Sequence, residues 1–275
     1  MNAPPSAYVI SREELGFGWL TLYAITFVLQ CVCAVARYFV LYAIIWVPDK
    51  IEFWDLPVKH LAILITAVPL LISLGTLVFP FGGWLFEQET GGRSPSERER
   101  TALDYAFAEL TRVDPSLRPP RRWFVTDDQD PNACVYADTL MLTRGMLDNP
   151  FLPAVLAHEL GHYNSSDGRL TAAVYRLTVP LGRRAPIPFK TLASLISGRL
   201  AMDFLQTPWS IYWRHREDLA DDYAARLGQG PALTAYLDTH ALDGDLPTPF
   251  KMFGRTSHPW TEHRIDRLQA RSQNS

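Results

Sequence analysis

The chain has 275 residues, 48 % of them hydrophobic, and a formal net charge of -3. That length accommodates one globular domain of ordinary size with attached segments, not two full domains. The slightly acidic balance argues against the basic surface that nucleic-acid binding requires. Of three cysteines, Cys31 and Cys33 fall inside an apolar run and Cys134 stands alone. Such a set builds neither a disulfide framework nor a cysteine zinc site, and it fits a reducing compartment.

The N-terminal tail, residues 1–16, carries Arg12, Glu13 and Glu14 and lacks the apolar core and small-residue cleavage site of a signal peptide. From Phe17 to Val47 nearly every residue is apolar, interrupted by Gln30 and Arg37. This is more than enough to cross a hydrocarbon core of about 30 Å. A second run, His60 to Phe86, has no charge after its first residue and ends in Trp84 and Phe86, the aromatic pair expected at a membrane interface. Two transmembrane helices are therefore expected, about 17–47 and 60–86, forming an anchor over 17–90. Both chain ends then lie on one side, and the basic residues after Gly92 favour a cytoplasmic catalytic domain in the cell membrane.

Gly91, Gly92, Ser94 and Pro95 read as a polar hinge that opens a domain over 91–275. Leu103, Phe107 and Leu110 recur at helical spacing among charges. Arg122 to Thr126, Ala133 to Tyr136 and Leu140 to Thr143 are short β-prone runs, with Ala137 to Thr139 as a turn, and predict a small antiparallel sheet. The segment from Pro153 to Tyr163 reads as a helix, stopped by Asn164 to Gly168. Arg169 to Pro208 is broken by prolines and arginines and is the candidate cover of the site. Thr191 to Trp213 reads as part of that cover, because Arg199 and Asp203 would be costly in a span. Ser210 to Leu227, closed by Gly228 and Gly230, and Pro231 to His240 are further helices.

The chemistry concentrates in His158-Glu159-Leu160-Gly161-His162. Four residues are close to one helical turn, so both imidazoles project from one face at a separation suited to a single zinc ion. Glu159 lies beside that face, where it can take a proton from a water held by the metal. A zinc hydrolase needs a third protein ligand and an open fourth position. Glu217 is the candidate, because Ala220, Ala224 and Ala225 let its helix lie close against another. Asp221, one turn later, can accept the free ring N–H of a ligand histidine. A scaffold with a purely structural zinc site is the alternative reading. It would need a fourth protein ligand that no nearby cysteine supplies, and it gives Glu159 no role.

These motifs resemble the HtpX-like and CAAX prenyl endopeptidase family of membrane zinc peptidases. The resemblance runs in order from Asn132-Ala133-Cys134 and Thr143-Arg144-Gly145-Met146-Leu147, through the zinc motif, Asp167 and Glu217-Asp218-Leu219-Ala220-Asp221, to Ser257-His258-Pro259-Trp260-Thr261-Glu262-His263-Arg264-Ile265. It implies an α+β, mostly helical, gluzincin-like peptidase domain. His158, His162 and Glu217 hold one zinc ion, Glu159 is the base and Asp221 stands behind the ligands. It also implies His258 as a partner of the substrate carbonyl or its oxyanion, Arg264 as an organiser of the site, and the strand near Asn132 to Val135 as an edge for an extended substrate. The chain departs from the family pattern in its shorter, Pro- and Arg-broken segment between the second histidine and Glu217. That argues against a full membrane chamber and a prenylated substrate. The expected protein is a membrane-anchored zinc endopeptidase that hydrolyses protein or peptide substrates at the surface of a lipid bilayer.

Overall fold

The computed structural model describes residues 12–49, 58–165, 168–178, 199–240 and 261–272. The described elements are α1 (Arg12–Asp49), α2 (Val58–Val78), α3 (Gly82–Thr90), α4 (Glu97–Val113), β1 (Arg122–Thr126), β2 (Ala133–Tyr136), β3 (Thr139–Thr143), α5 (Arg144–Leu147) and α6 (Leu152–Asn164). They continue with α7 (Gly168–Thr178), α8 (Arg199–Arg226), α9 (Gly230–His240) and α10 (Thr261–Ser272). The class is α+β and mostly helical, as expected.

The sheet is mixed, not antiparallel. Its order is β1-β3-β2, with β1 parallel and β2 antiparallel to the central β3. The physical reason lies in β3, whose Thr139–Thr143 is buried throughout. β3 is therefore the central strand, and β1 pairs with its edge opposite β2. The hairpin turns through Ala137, which adopts φ 56. This leaves β2 at the edge of the sheet.

The run 60–86 divides between two helices. α2 stops at Val78, ahead of Pro80, and α3 starts at Gly82. α3 belongs to the sheet: its Phe86 stacks on Tyr136 at 4.6 Å and meets Phe124 edge-on at 5.9 Å. One described helix, α1, holds a stretch long and apolar enough to cross a membrane, Gly18–Val35.

The glycine-rich segment after α3 is tied to the sheet by its Arg93. Arg93 and Val125 exchange both backbone hydrogen bonds, at 2.9 and 3.0 Å. The Arg93 guanidinium then grips Glu99 with two bonds of 2.7 and 2.8 Å. Glu99 closes a capping box with Ser96 at the start of α4. The bond from Arg93, helped by those from Ser96, outweighs burial and holds the Glu99 carboxyl down at about 2. A carboxyl depressed in the folded state stabilises the fold above its ordinary pKa of about 4.3, and that contribution is lost as pH falls through about 2. The acid limb of a urea-denaturation stability curve should therefore be flatter in Glu99→Gln than in wild type between pH 5 and 2.

α7 and α8 are shared between the peptidase half and the N-terminal helices. Tyr23, Ala173, Val174, Leu177, Trp209 and Tyr212 form one buried cluster spanning α1, α7 and α8. Its polar groups are paired across the helices. Trp209 Nε1 donates to Thr26 Oγ1 at 3.0 Å, and Ser73 Oγ donates to the Ala173 carbonyl at 2.7 Å. Residues 208–213 of the predicted cover thus pack on α1, while 179–198 lie outside the described residues.

Candidate active site

α6 and α8 build the site by lying unusually close. A Cβ on Gly161, the fourth residue of the zinc motif, would sit 2.7 Å from the Cα of Ala220, a contact no side chain could tolerate. Glycine on one helix facing alanine on the other lets Glu217, one turn before Asp221, reach the two histidines. The His158 and His162 rings are edge-on with centroids 4.8 Å apart.

Glu217 bridges the two imidazoles. Its Oε2 lies 3.5 Å from His158 Nε2 and its Oε1 lies 3.3 Å from His162 Nε2. Zinc–ligand bonds of about 2.0–2.1 Å in tetrahedral geometry require neighbouring donors to be about 3.3–3.4 Å apart. One donor atom from each of the three residues falls within 4.8 Å of the others, and all three residues are buried. The donor set and its spacing fit one zinc ion, and the triad is the one expected.

Asp221 and Arg264 close the site from behind. Asp221 Oδ1 lies 2.9 Å from His158 Nδ1, the ring nitrogen turned away from Glu217. Arg264, on α10, donates from Nε and NH2 to the two oxygens of Asp221 at 2.8 and 2.7 Å, and its NH1 lies 3.4 Å from Glu217 Oε2. Burial would raise the Asp221 carboxyl, but the Arg264 charge and then His158 hold it down at about 2. Burial alone would lower His158, yet Asp221 and Glu217 together push it up to about 10. Carboxylates that hold positive charge this strongly at one point suit a divalent cation. The α10 helix is held on α8 further along by Arg267 to Asp218 and Asp222 and by Arg271 to Asp222.

Glu159 is 7 % exposed and lies beside His158 on α6. Asp167 and His258 fall outside the described residues. His240 stacks on Tyr236, and the two rings lie 4.3 Å apart. Gly161 lies inside the zinc motif, and the need for a glycine there becomes visible only against Ala220. Tyr236 carries no motif spacing; its hydroxyl reaches the Pro131 carbonyl, far away in the chain.

The peptidase family M48 model matches residues 98–272. The crystal structure of S. mikatae Ste24p is similar at 19 % identity and a TM-score of 0.41, over 81 % of this chain and 65 % of that one. The chain thus spans about two thirds of the length of that protein. No curated protein matches. With the His158, His162 and Glu217 triad intact inside the matched region, the chain belongs to peptidase family M48.

Proposed function

We propose that the protein is a membrane-anchored endopeptidase acting on polypeptides at the bilayer surface, with Glu159 as general base and acid and β2 as the strand that receives substrate. The convergence of a buried base and the zinc triad carries this reading. Zinc held by His158, His162 and Glu217 would supply Lewis-acid activation of a water and of the scissile carbonyl. Glu159 accepts the proton of the attacking water on its carboxylate and delivers it to the leaving amine. Asp221 fixes the His158 tautomer through Nδ1, and Arg264 keeps Asp221 ionised and aimed. His258 is assigned to the substrate carbonyl through the family resemblance. An extended peptide adds to β2 by backbone hydrogen bonds, because among the described residues β2 pairs with a strand on one side only.

The membrane reading is supported by an inside-out helical pair. Leu20, Ile25, Val28, Val32, Val35 and Phe39 of α1 and Leu71, Leu74 and Val78 of α2 face outward, while Tyr23, Thr26, Gln30, Ser73 and Thr76 are buried. Water selects the reverse arrangement, and lipid selects this one. We take α1 and α2 as the two spans, with the catalytic domain on the cytoplasmic side of the cell membrane. The level of the site follows from α8. Trp209 meets Thr26, and Tyr212 meets Trp19, at the start of the apolar stretch. α8 therefore climbs out as α1 descends. Glu217 lies five residues beyond Tyr212, about 7.5 Å at 1.5 Å per residue, which is headgroup depth.

The test is cleavage of casein by the full chain in liposomes before and after zinc removal with a chelator. Cleavage that stops on chelation and returns with one equivalent of zinc is expected. Zinc retained without cleavage of any protein substrate would favour the scaffold reading.

A further inference from the structure

The zinc triad and its supports leave one aromatic residue of the site without a role. Tyr236 stands on α9, with its ring stacked against His240 at 4.3 Å and edge-on to Phe151 at 6.0 Å. Its hydroxyl donates to the Pro131 carbonyl at 3.2 Å. Pro131 has no N–H, so that carbonyl is its sole backbone hydrogen-bonding group. The next residue, Asn132, leads directly into β2.

The loop before β2 is pinned at successive residues. Gly145 N donates to the Asp128 carbonyl at 3.0 Å, and a Cβ on Gly145 would collide with the carbonyl of Gln129. Thr143 Oγ1 donates to the Asp130 carbonyl at 2.8 Å and accepts from Asn132 N at 2.9 Å. These anchors all come from β3 and α5, within the same hairpin unit. They shape the loop but do not locate it against the helices that carry the catalytic groups. Tyr236 reaches the same loop from the helical half. Its phenol also senses the site: burial first, and then the negative charge of Glu159 against the opposing Arg264, push it up to about 12. The hydroxyl therefore stays a donor across the physiological range.

We propose that Tyr236 is a positioning residue whose hydroxyl sets the entrance of the edge strand β2, and hence the register in which an extended substrate pairs with that strand. This rests on the reading of β2 as the substrate strand. The far end of β2 is tied to α7 by the Tyr136 hydroxyl on the Ala172 carbonyl at 3.1 Å, and Tyr236 ties its entrance; a loosened entrance would weaken the pairing of a long peptide without moving the groups at the zinc site.

The experiment uses the full-length, zinc-loaded protein with Tyr236→Phe, which removes one oxygen and keeps the ring stack. Two fluorogenic peptides are compared, one long enough to pair along β2 and one spanning only the residues that flank the scissile bond. The long peptide should show KM raised about three- to ten-fold, the loss of one neutral hydrogen bond, with kcat and zinc content within two-fold of wild type. The short peptide should be unaffected. Amide exchange at residues 132–135 should be faster in the variant. Tyr236→Leu, which fills the space without a hydroxyl, should repeat the pattern and serves if the phenylalanine variant accumulates poorly. Unchanged KM for the long peptide would overturn the proposal. So would an equal loss of kcat with both peptides, which would put the hydroxyl on the reacting carbonyl instead. If wild type cleaves neither peptide, the peptidase reading fails separately, and the exchange rates alone decide whether the hydroxyl fixes the strand.

Discussion

Glu159→Gln should bind one zinc ion per chain and cleave casein at a rate lower by a factor of about 10² to 10⁴, the usual range for loss of a general acid–base group. Glutamine keeps the shape of the side chain and cannot take a proton. Glu159 is not one of the three grouped donors, which are His158, His162 and Glu217. His158→Ala should instead lose metal and turnover together. It removes a ligand, and it leaves Asp221 and Glu217 buried with one partner fewer. Zinc measured by atomic absorption beside the casein rate separates the two variants. Equal metal loss in both would contradict the role given to Glu159, and an active Glu159→Gln would move the base elsewhere.

Deletion of the N-terminal helices should be as severe, for a different reason. A chain starting at Gly91 should fail to give a soluble, zinc-loaded peptidase, even though the family match begins at residue 98. Removing α1 and α2 uncovers Trp209 and Tyr212, both 0 % exposed, together with Ala173, Val174 and Leu177 of α7. It strands the Trp209 indole without Thr26, and the start at Gly91 also removes α3, whose Phe86 stacks on Tyr136. Truncating a single buried aromatic costs about 3–5 kcal/mol, against a typical total stability of about 5–15 kcal/mol. Because α8 also carries Glu217 and Asp221, disorder at its start reaches the metal ligands. Size-exclusion chromatography and zinc content of the fragment are the readouts. A monodisperse fragment with full zinc and wild-type peptide turnover would reduce α1 and α2 to a tether.

The two expectations meet at α8, which shows how metal site and anchor depend on one element. Its first described half packs on α1 and α7, and its second half presents Glu217 to α6 at the spacing that Gly161 and Ala220 permit. Arg264 is then brought in by α10, whose Arg267 and Arg271 grip Asp218 and Asp222 on the same helix.

The metal triad was legible in the residue order because helical periodicity alone puts positions 158 and 162 on one face. A lone glutamate followed by small residues, at 217, was then the natural third donor. Strand positions were legible to within a residue, since 122–126, 133–136 and 140–143 are short β-prone runs, and Thr139, read as part of the turn, opens β3. Pairing was not. Periodicity records which face of a strand is apolar, whereas the parallel partnership of β1 with β3 depends on β3 being buried on both faces. The division of 60–86 into α2 and α3 likewise needed the sheet, because Phe86 is equally apolar beside lipid or beside Tyr136. Tyr236 and Gly161 were invisible for the same reason: one acts by reaching Pro131 far away in the chain, the other by the absence of a side chain against Ala220. Local order in the sequence determined what each segment is and which groups bind metal. Only the packing of distant segments decided how closely α6 and α8 approach, where β2 lies, and which helices share a core.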